Sequence, residues 1–225
     1  MAASKKLKSQ SEQKRHGSLA PRRRNAAETR ERILKAAMEE FCAKGFDGAR
    51  MDRIVEYAGC NIRMAYHYFG DKEGLYLTVL EDVYNQLRSR ERKLDLKHMA
   101  PEDGIKALVE FTFDHMANHP EFVSLISNEN TMKGKFLHQS KNVPKTTTPL
   151  VQAIRDLLKR GQKAKVFRRG VDPIQLYVSI LSLSYVHISN RHTLSIIFHQ
   201  DLEDTKWLRT RRKHACDIII GFLRP

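Results

Sequence analysis

Arg63 offers a planar guanidinium fork that can pair with O6 and N7 of a guanine, a contact worth roughly 1–3 kcal/mol of discrimination between bases. It stands in the run Asn61-Ile62-Arg63-Met64-Ala65-Tyr66-His67-Tyr68-Phe69, preceded by Gly59 and followed by Asp71-Lys72-Glu73. Lys72 falls in what should be the first turn of a helix, where a cation opposes the helix dipole. A bound anion would compensate it, and helix N-termini are themselves phosphate sites. A fork that can read bases and a lysine that wants a phosphate, on successive helices, point to double-stranded DNA as partner.

The elements that must hold these residues are legible nearby. Asn25-Ala-Ala-Glu28 has the form of a capping box, followed by an apolar stripe of Ile33, Ala37 and Phe41, with Leu34 and Met38 beside it, that ends near Gly45. A second helix is expected from about Arg50, burying Met51, Ile54, Val55 and Ala58 and stopped by Gly59. Asn61 caps a third helix to about Phe69, and Asp71 caps a long fourth with Tyr76, Leu80, Val83 and Leu87 on one face. Two short helices about a glycine turn make a helix-turn-helix, here over 50–69, whose second helix enters the DNA major groove.

Beyond residue 96 the pattern stays helical. Pro101, Pro120, Pro149 and Pro173 sit where first helical turns would begin, Asp172-Pro-Ile-Gln175 is a second capping-box candidate, and Ser140–Thr148 reads as a loop. The segment 173–190 is apolar on most sides, so neighbours are expected to bury it from more than one direction. A last helix is expected over about 203–223. No βαβ unit, strand alternation or repeat is present, and the fold class is all-α: an N-terminal three-helix helix-turn-helix domain and a C-terminal helical domain.

Other residues could do other chemistry. Asn128, Asn130, Tyr177 and His187 are polar groups in mainly apolar surroundings, the usual marker of a ligand site, though such a residue is more often a satisfied core or surface group than a ligand contact. His115 and His119 are four apart with Asp114 adjacent, a spacing that can hold zinc, but no third ligand is placed with them and no metal is expected. Cys42, Cys60 and Cys216 are far apart and odd in number, so no disulfide framework follows. There is no Walker loop, Gly-x-Ser-x-Gly, His-Glu-x-x-His or dinucleotide-binding glycine pattern, so neither an enzyme nor a cofactor is expected.

The formal net charge is +14, which favours a polyanionic partner. It is unevenly placed: residues 1–26 carry eight Lys and Arg against one Glu, whereas 27–90 are almost balanced. The helix-turn-helix must therefore attract DNA through individually placed charges. The segment 1–26 is expected to be a disordered basic arm, with Arg22-Arg23-Arg24 its best candidate for a minor-groove contact or else a solvated tail. The run Ile174–Ile188 is too polar for a membrane span and the N-terminus lacks a secretory core, so a cytoplasmic, nucleoid-associated protein without a membrane partner is expected.

Ile33, Ala37, Phe41, Gly45-Phe46, Ile54, Ala58-Gly59, Tyr66, Tyr68-Phe69 and Lys72-Glu73 with Leu75 recur at a characteristic spacing. Through them residues 27–87 resemble the DNA-binding domain of TetR-family transcriptional regulators. The resemblance implies that the third helix lies in the major groove with Asn61, Ile62 and Arg63 at the bases, and that the fourth helix leads to a ligand and dimer domain. It implies the Tyr66 hydroxyl on a phosphate, His67 at base or backbone, Tyr68 in the core with reach to a phosphate, and Lys72 on a phosphate, with Arg50 and Met51 at the other rim of the groove. Three positions depart from the family pattern: Arg50 where Ser or Thr often caps, Val55 for alanine, and Cys60 for valine. The last two should repack without unfolding the motif.

Gly48-Ala-Arg50, His119-Pro-Glu-Phe122, Asn128-Glu-Asn130 with Gly134, and Ile218–Pro225 resemble more loosely the branch holding the pyrimidine-utilisation regulator and regulators of aromatic catabolism. That likeness implies a small polar effector, aromatic or heterocyclic, bound within residues 88–225. Specific reading usually needs two half-sites matched to a two-fold dimer, so a homodimer through the helices near 173–190 and 203–223 is expected. The expected function is a ligand-responsive DNA-binding regulator, a repressor released from a palindromic operator by its effector. The alternative is a basic architectural DNA-binding protein without effector control, to which the clusters Lys159–Arg169 and Arg209–Lys213 would belong.

Overall fold

The structure is a computed structural model that describes residues 19–225, with side chains from Asn25 onward. Residues 1–18 of the expected basic arm, and the side chains of Arg22–Arg24, lie outside what it describes. Among the described residues there are ten α-helices and no strand: α1 Leu19–Gly48, α2 Met51–Ala58, α3 Ile62–Phe69, α4 Lys72–Glu91, α5 Pro101–Asn118, α6 Pro120–Thr131, α7 Asn142–Lys163, α8 Pro173–Ser189, α9 Arg191–Phe198 and α10 Thr205–Leu223.

Helix α1 starts earlier than its sequence suggests. Asn25 lies inside it, where its carbonyl accepts the Thr29 hydroxyl at 2.8 Å. Pro21 sits in the first turn, where its missing N–H costs no hydrogen bond, so the helix can begin upstream of the capping-box pattern. Gly45, with φ 66°, breaks the helical path where the apolar stripe ends.

The helix-turn-helix forms where expected. Gly59 takes the left-handed conformation (φ 60°, ψ 46°) and donates its N–H to Glu56, while Cys60 donates to Val55, closing α2. Asn61 Oδ1 accepts the Arg63 N–H and Asp71 Oδ1 the Gly74 N–H, both at 2.8 Å. Arg50 gives α2 no side-chain cap. The start of α2 is tied to α1 instead: buried Glu40 accepts the Arg50 N–H at 3.1 Å and Arg53 Nε at 2.7 Å.

The first core joins Ile33, Phe41, Ile54, Ala65, Leu75 and Leu80 of α1–α4, and it does not stop at residue 87. Phe122, Leu125 and Phe136 from beyond that boundary are buried in the same cluster. A second core lies among α5, α7, α8 and α10, around Ile105, Leu108, Ile154, Leu157, Ile180 and Ile219.

Two C-terminal expectations are corrected. The supposed loop 140–148 is helical from Asn142, with Pro149 inside α7. The helix starts because Ser140 Oγ, itself held by Glu81 of α4, accepts the N–H groups of Asn142 and Val143, while Thr146, Thr147 and Thr148 turn their hydroxyls back onto helix carbonyls. And α8 is not buried all round: Ile174, Val178 and Val186 are about half exposed on one side.

Candidate nucleic-acid interface and effector cavity

Helix α3 has two faces. Ala65 and Phe69 are buried and Ile62 and Tyr68 pack half-buried against the core, while Arg63, Met64, Tyr66 and His67 are exposed. Arg63 and His67 are one turn apart on the outer face, with Tyr66 beside them. Of the residues expected at the bases, Ile62 is thus mainly a packing residue. Asn61 is exposed, but its oxygen is engaged in the cap, leaving its amide NH2 to reach outward. Met64 shares the outer face and was not anticipated, because its type suggests a core position rather than a surface one.

The rest of the expected interface lies around this helix. Arg50 is exposed and Met51 half-buried at the start of α2. Lys72 Nζ lies 4.7 Å from the centroid of the Phe46 ring and donates weakly to the Asp47 carbonyl at 3.4 Å, so it is held at the N-terminus of α4 with no carboxylate partner among the described residues. A cation kept off carboxylates at a helix N-terminus remains available to an anion. Tyr57, at 74% exposure on α2, is a large aromatic group left in solvent in the same domain.

A cavity of about 470 Å3 opens in the C-terminal domain, between α4, α5, α6, α7 and α8. The rings of Tyr84, Phe122, Tyr177 and Tyr185 form much of its wall, with Met116 and Ile126. At one end stands Arg88, only 5% exposed, whose Nη1 donates to Glu91 Oε2 at 2.6 Å and to the Tyr177 hydroxyl at 3.1 Å. Burial pushes the Tyr177 phenol up to about 12, so it stays a neutral donor. Tyr185 shares a 2.6 Å hydrogen bond with Ser127.

The four effector candidates read from sequence separate here. Tyr177 and Asn130 line the cavity. Asn128 does not; its Nδ2 donates to the Phe41 carbonyl of α1 at 3.4 Å. His187 does not either: it stacks on Phe113, with centroids 4.7 Å apart, and burial lowers its pKa to about 4. Arg88 and Glu91 escaped sequence reading because charges near the end of a helix normally lie in solvent; here α7 packs on α4 beside them and Tyr177 of α8 bonds Arg88. His119, with its neighbour His115 buried, pairs through Nδ1 with Glu121 at 2.9 Å.

Residues 33–79 match the description "Bacterial regulatory proteins, tetR family", and residues 101–219 match "Tetracyclin repressor-like, C-terminal domain". The chain belongs to the TetR family. It is similar to the HTH-type transcriptional repressor NicS of Pseudomonas putida, 39% identical over 183 residues that cover 81% of this chain and 86% of that protein. The fold is shared with the putative transcriptional regulator SCO4942 of Streptomyces coelicolor (24% identity, TM-score 0.65, covering 88% of this chain and 99% of that one). It is also shared with FadR of Bacillus subtilis, solved with stearoyl-CoA (16% identity, TM-score 0.64, covering 87% and 100%). As a TetR-family member the chain is a DNA-binding transcriptional regulator, of a kind that acts as a dimer on operator DNA. No helix among the described residues is long and apolar enough to cross a membrane.

Proposed function

We propose that α3 of this TetR-family regulator reads an operator half-site through Arg63, with His67 and the amide of Asn61 beside it. Tyr66, Tyr68, Lys72 and Arg50 fix the register on phosphates, and Met51 lines the groove edge. The observation that carries this reading is the outer face of α3, where Arg63, Tyr66 and His67 stand free of the protein's own core. Contacts to phosphate position a protein, and contacts to base edges give it sequence choice.

A second copy supplies the other half-site. The surface that supports pairing is the apolar side of α8 and α10: Ile174, Val178, Val186, Ile218 and Phe222 are between 40 and 56% exposed, and Gly221 has open space where a side chain would be. Two such helices from each copy make a four-helix bundle. The half-sites then form a palindrome whose spacing is fixed by the dimer.

The effector binds in the cavity beneath α8, and its differential affinity for two arrangements of the reading heads releases the operator. A walled cavity beside a buried cation supports effector control over the purely architectural reading. Footprinting on the DNA flanking the gene tests the account. Protection of two symmetric half-sites about one helical turn apart, in adjacent major grooves, is expected; uniform protection without a preferred site would favour the architectural protein.

A further inference from the structure

Resting on the effector-controlled reading above, we propose that the cavity takes a small aromatic carboxylate whose anionic end docks against Arg88 and Tyr177. The shape argues for the ring: four aromatic rings line a half-open cavity of about 470 Å3, room for a one- or two-ring ligand. The polar end argues for the anion. Arg88 is buried and engages Glu91 through Nη1 alone, while its Nε–H and the second oxygen of Glu91 are both buried without a hydrogen-bond partner. A buried ion pair is rarely kept for stability, since well-packed apolar residues often replace it at no loss. Of the two residues Arg88 lines the cavity, and a buried cationic N–H left without a partner at its wall fits an acceptor oxygen of a ligand.

Glu91 already balances the charge of Arg88, so an incoming carboxylate must displace that balance. Burial raises the pKa of Glu91, against the opposing pull of Arg88. Its charge is therefore given up at lower cost than that of an exposed glutamate. When the ligand carboxylate arrives, Glu91 takes a proton from solvent and the group Arg88–Glu91–ligand stays neutral. Tyr84 on α4, Arg92, Asp95 and Lys97 in the turn after it, His115 on α5 and Tyr177 on α8 are the other titratable groups facing the pair, and α7 brings the uncharged Thr146, Thr147, Pro149 and Leu150. Burial lowers the pKa of His115 to about 4, so it adds no charge near neutrality.

The test is thermal unfolding and calorimetry of the full chain with benzoate and the pyridinecarboxylates, against benzamide, the pyridinecarboxamides and 2-pyridone. The acids should raise the melting temperature and the neutral compounds should not. Arg88→Gln should weaken acid binding about 10- to 100-fold, the range of a hydrogen bond to a charged group. Tyr177→Phe, which keeps the ring, should weaken it less, and it decides the matter if Arg88→Gln does not fold. Binding heats in buffers of different ionisation enthalpy should show proton uptake. Equal stabilisation by amide or pyridone, unchanged acid binding in both variants, or no response to any acid overturns the proposal. None of these outcomes touches operator binding by the free protein, whose absence would instead remove the regulator reading.

Discussion

The ring of Phe136, from the turn after α6, lies 4.4 Å from the ring of Phe46 at the end of α1. It also meets Tyr76 at 5.0 Å, so a residue of the C-terminal part of the chain is buried in the core of the reading domain. Glu129 of α6 holds it there by accepting the N–H groups of Phe136 and Leu137, both at 2.8 Å, and Lys135 bonds Glu73 in the first turn of α4 at 3.1 Å. Helix α6 also carries Ile126 and Asn130 on the cavity, so one rigid element touches both the effector space and the DNA-binding core.

Phe136→Ala should therefore destabilise the reading domain although it lies outside it. A loss of about 3–5 kcal/mol is expected for a fully buried phenylalanine. Denaturant unfolding followed by a probe in α1–α4 measures it; a loss confined to the C-terminal domain would show that the ring contact does not bind the two parts together.

Glu40 should make the helix-turn-helix sensitive to acid. Burial alone would raise its carboxyl, but the bonds from Arg53 and the Arg50 N–H outweigh burial and hold it below the ordinary value of 4.5. Its stabilisation is thus present above the unfolded-state value and fades as pH falls through the folded one. Glu40→Gln should cost about 2 kcal/mol at neutral pH, in the range for hydrogen bonds to a charged group, and the gap to the native protein should close below about pH 4. Unfolding curves at several pH values check the sign; a gap that widens in acid would contradict it.

The caps that bind neighbours two or three residues on, at Asn61, Asp71 and Asp172, were legible in the sequence, as was the glycine turn at Gly59. So were the stripes of α1 and α4, because one periodicity decides which side is buried. What could not be read depended on distant residues. The start of α7 is set by Glu81 acting through Ser140, and the burial of Arg88 by Tyr177, which lies on another helix. Short α9 passed unnoticed; it buries none of its residues, and Ile196, Ile197 and Phe198 stand in solvent.

The pairing surface makes its own prediction. Ile218→Asp with Phe222→Asp places two charges on the apolar side of α10, where the partner helices would meet. Sedimentation should report monomers, and operator affinity should fall as half-sites are bound one at a time. An intact dimer would move the interface elsewhere on the molecule.

The central claim is that Arg63 reads a base. The most direct measurement compares binding of the native protein and Arg63→Ala to operator DNA and to the same duplex with each half-site guanine replaced in turn. A loss of roughly 1–3 kcal/mol per half-site is expected, together with indifference of the variant to replacement at one guanine position. Equal operator affinity for both proteins, or an unchanged preference at every base, would contradict it.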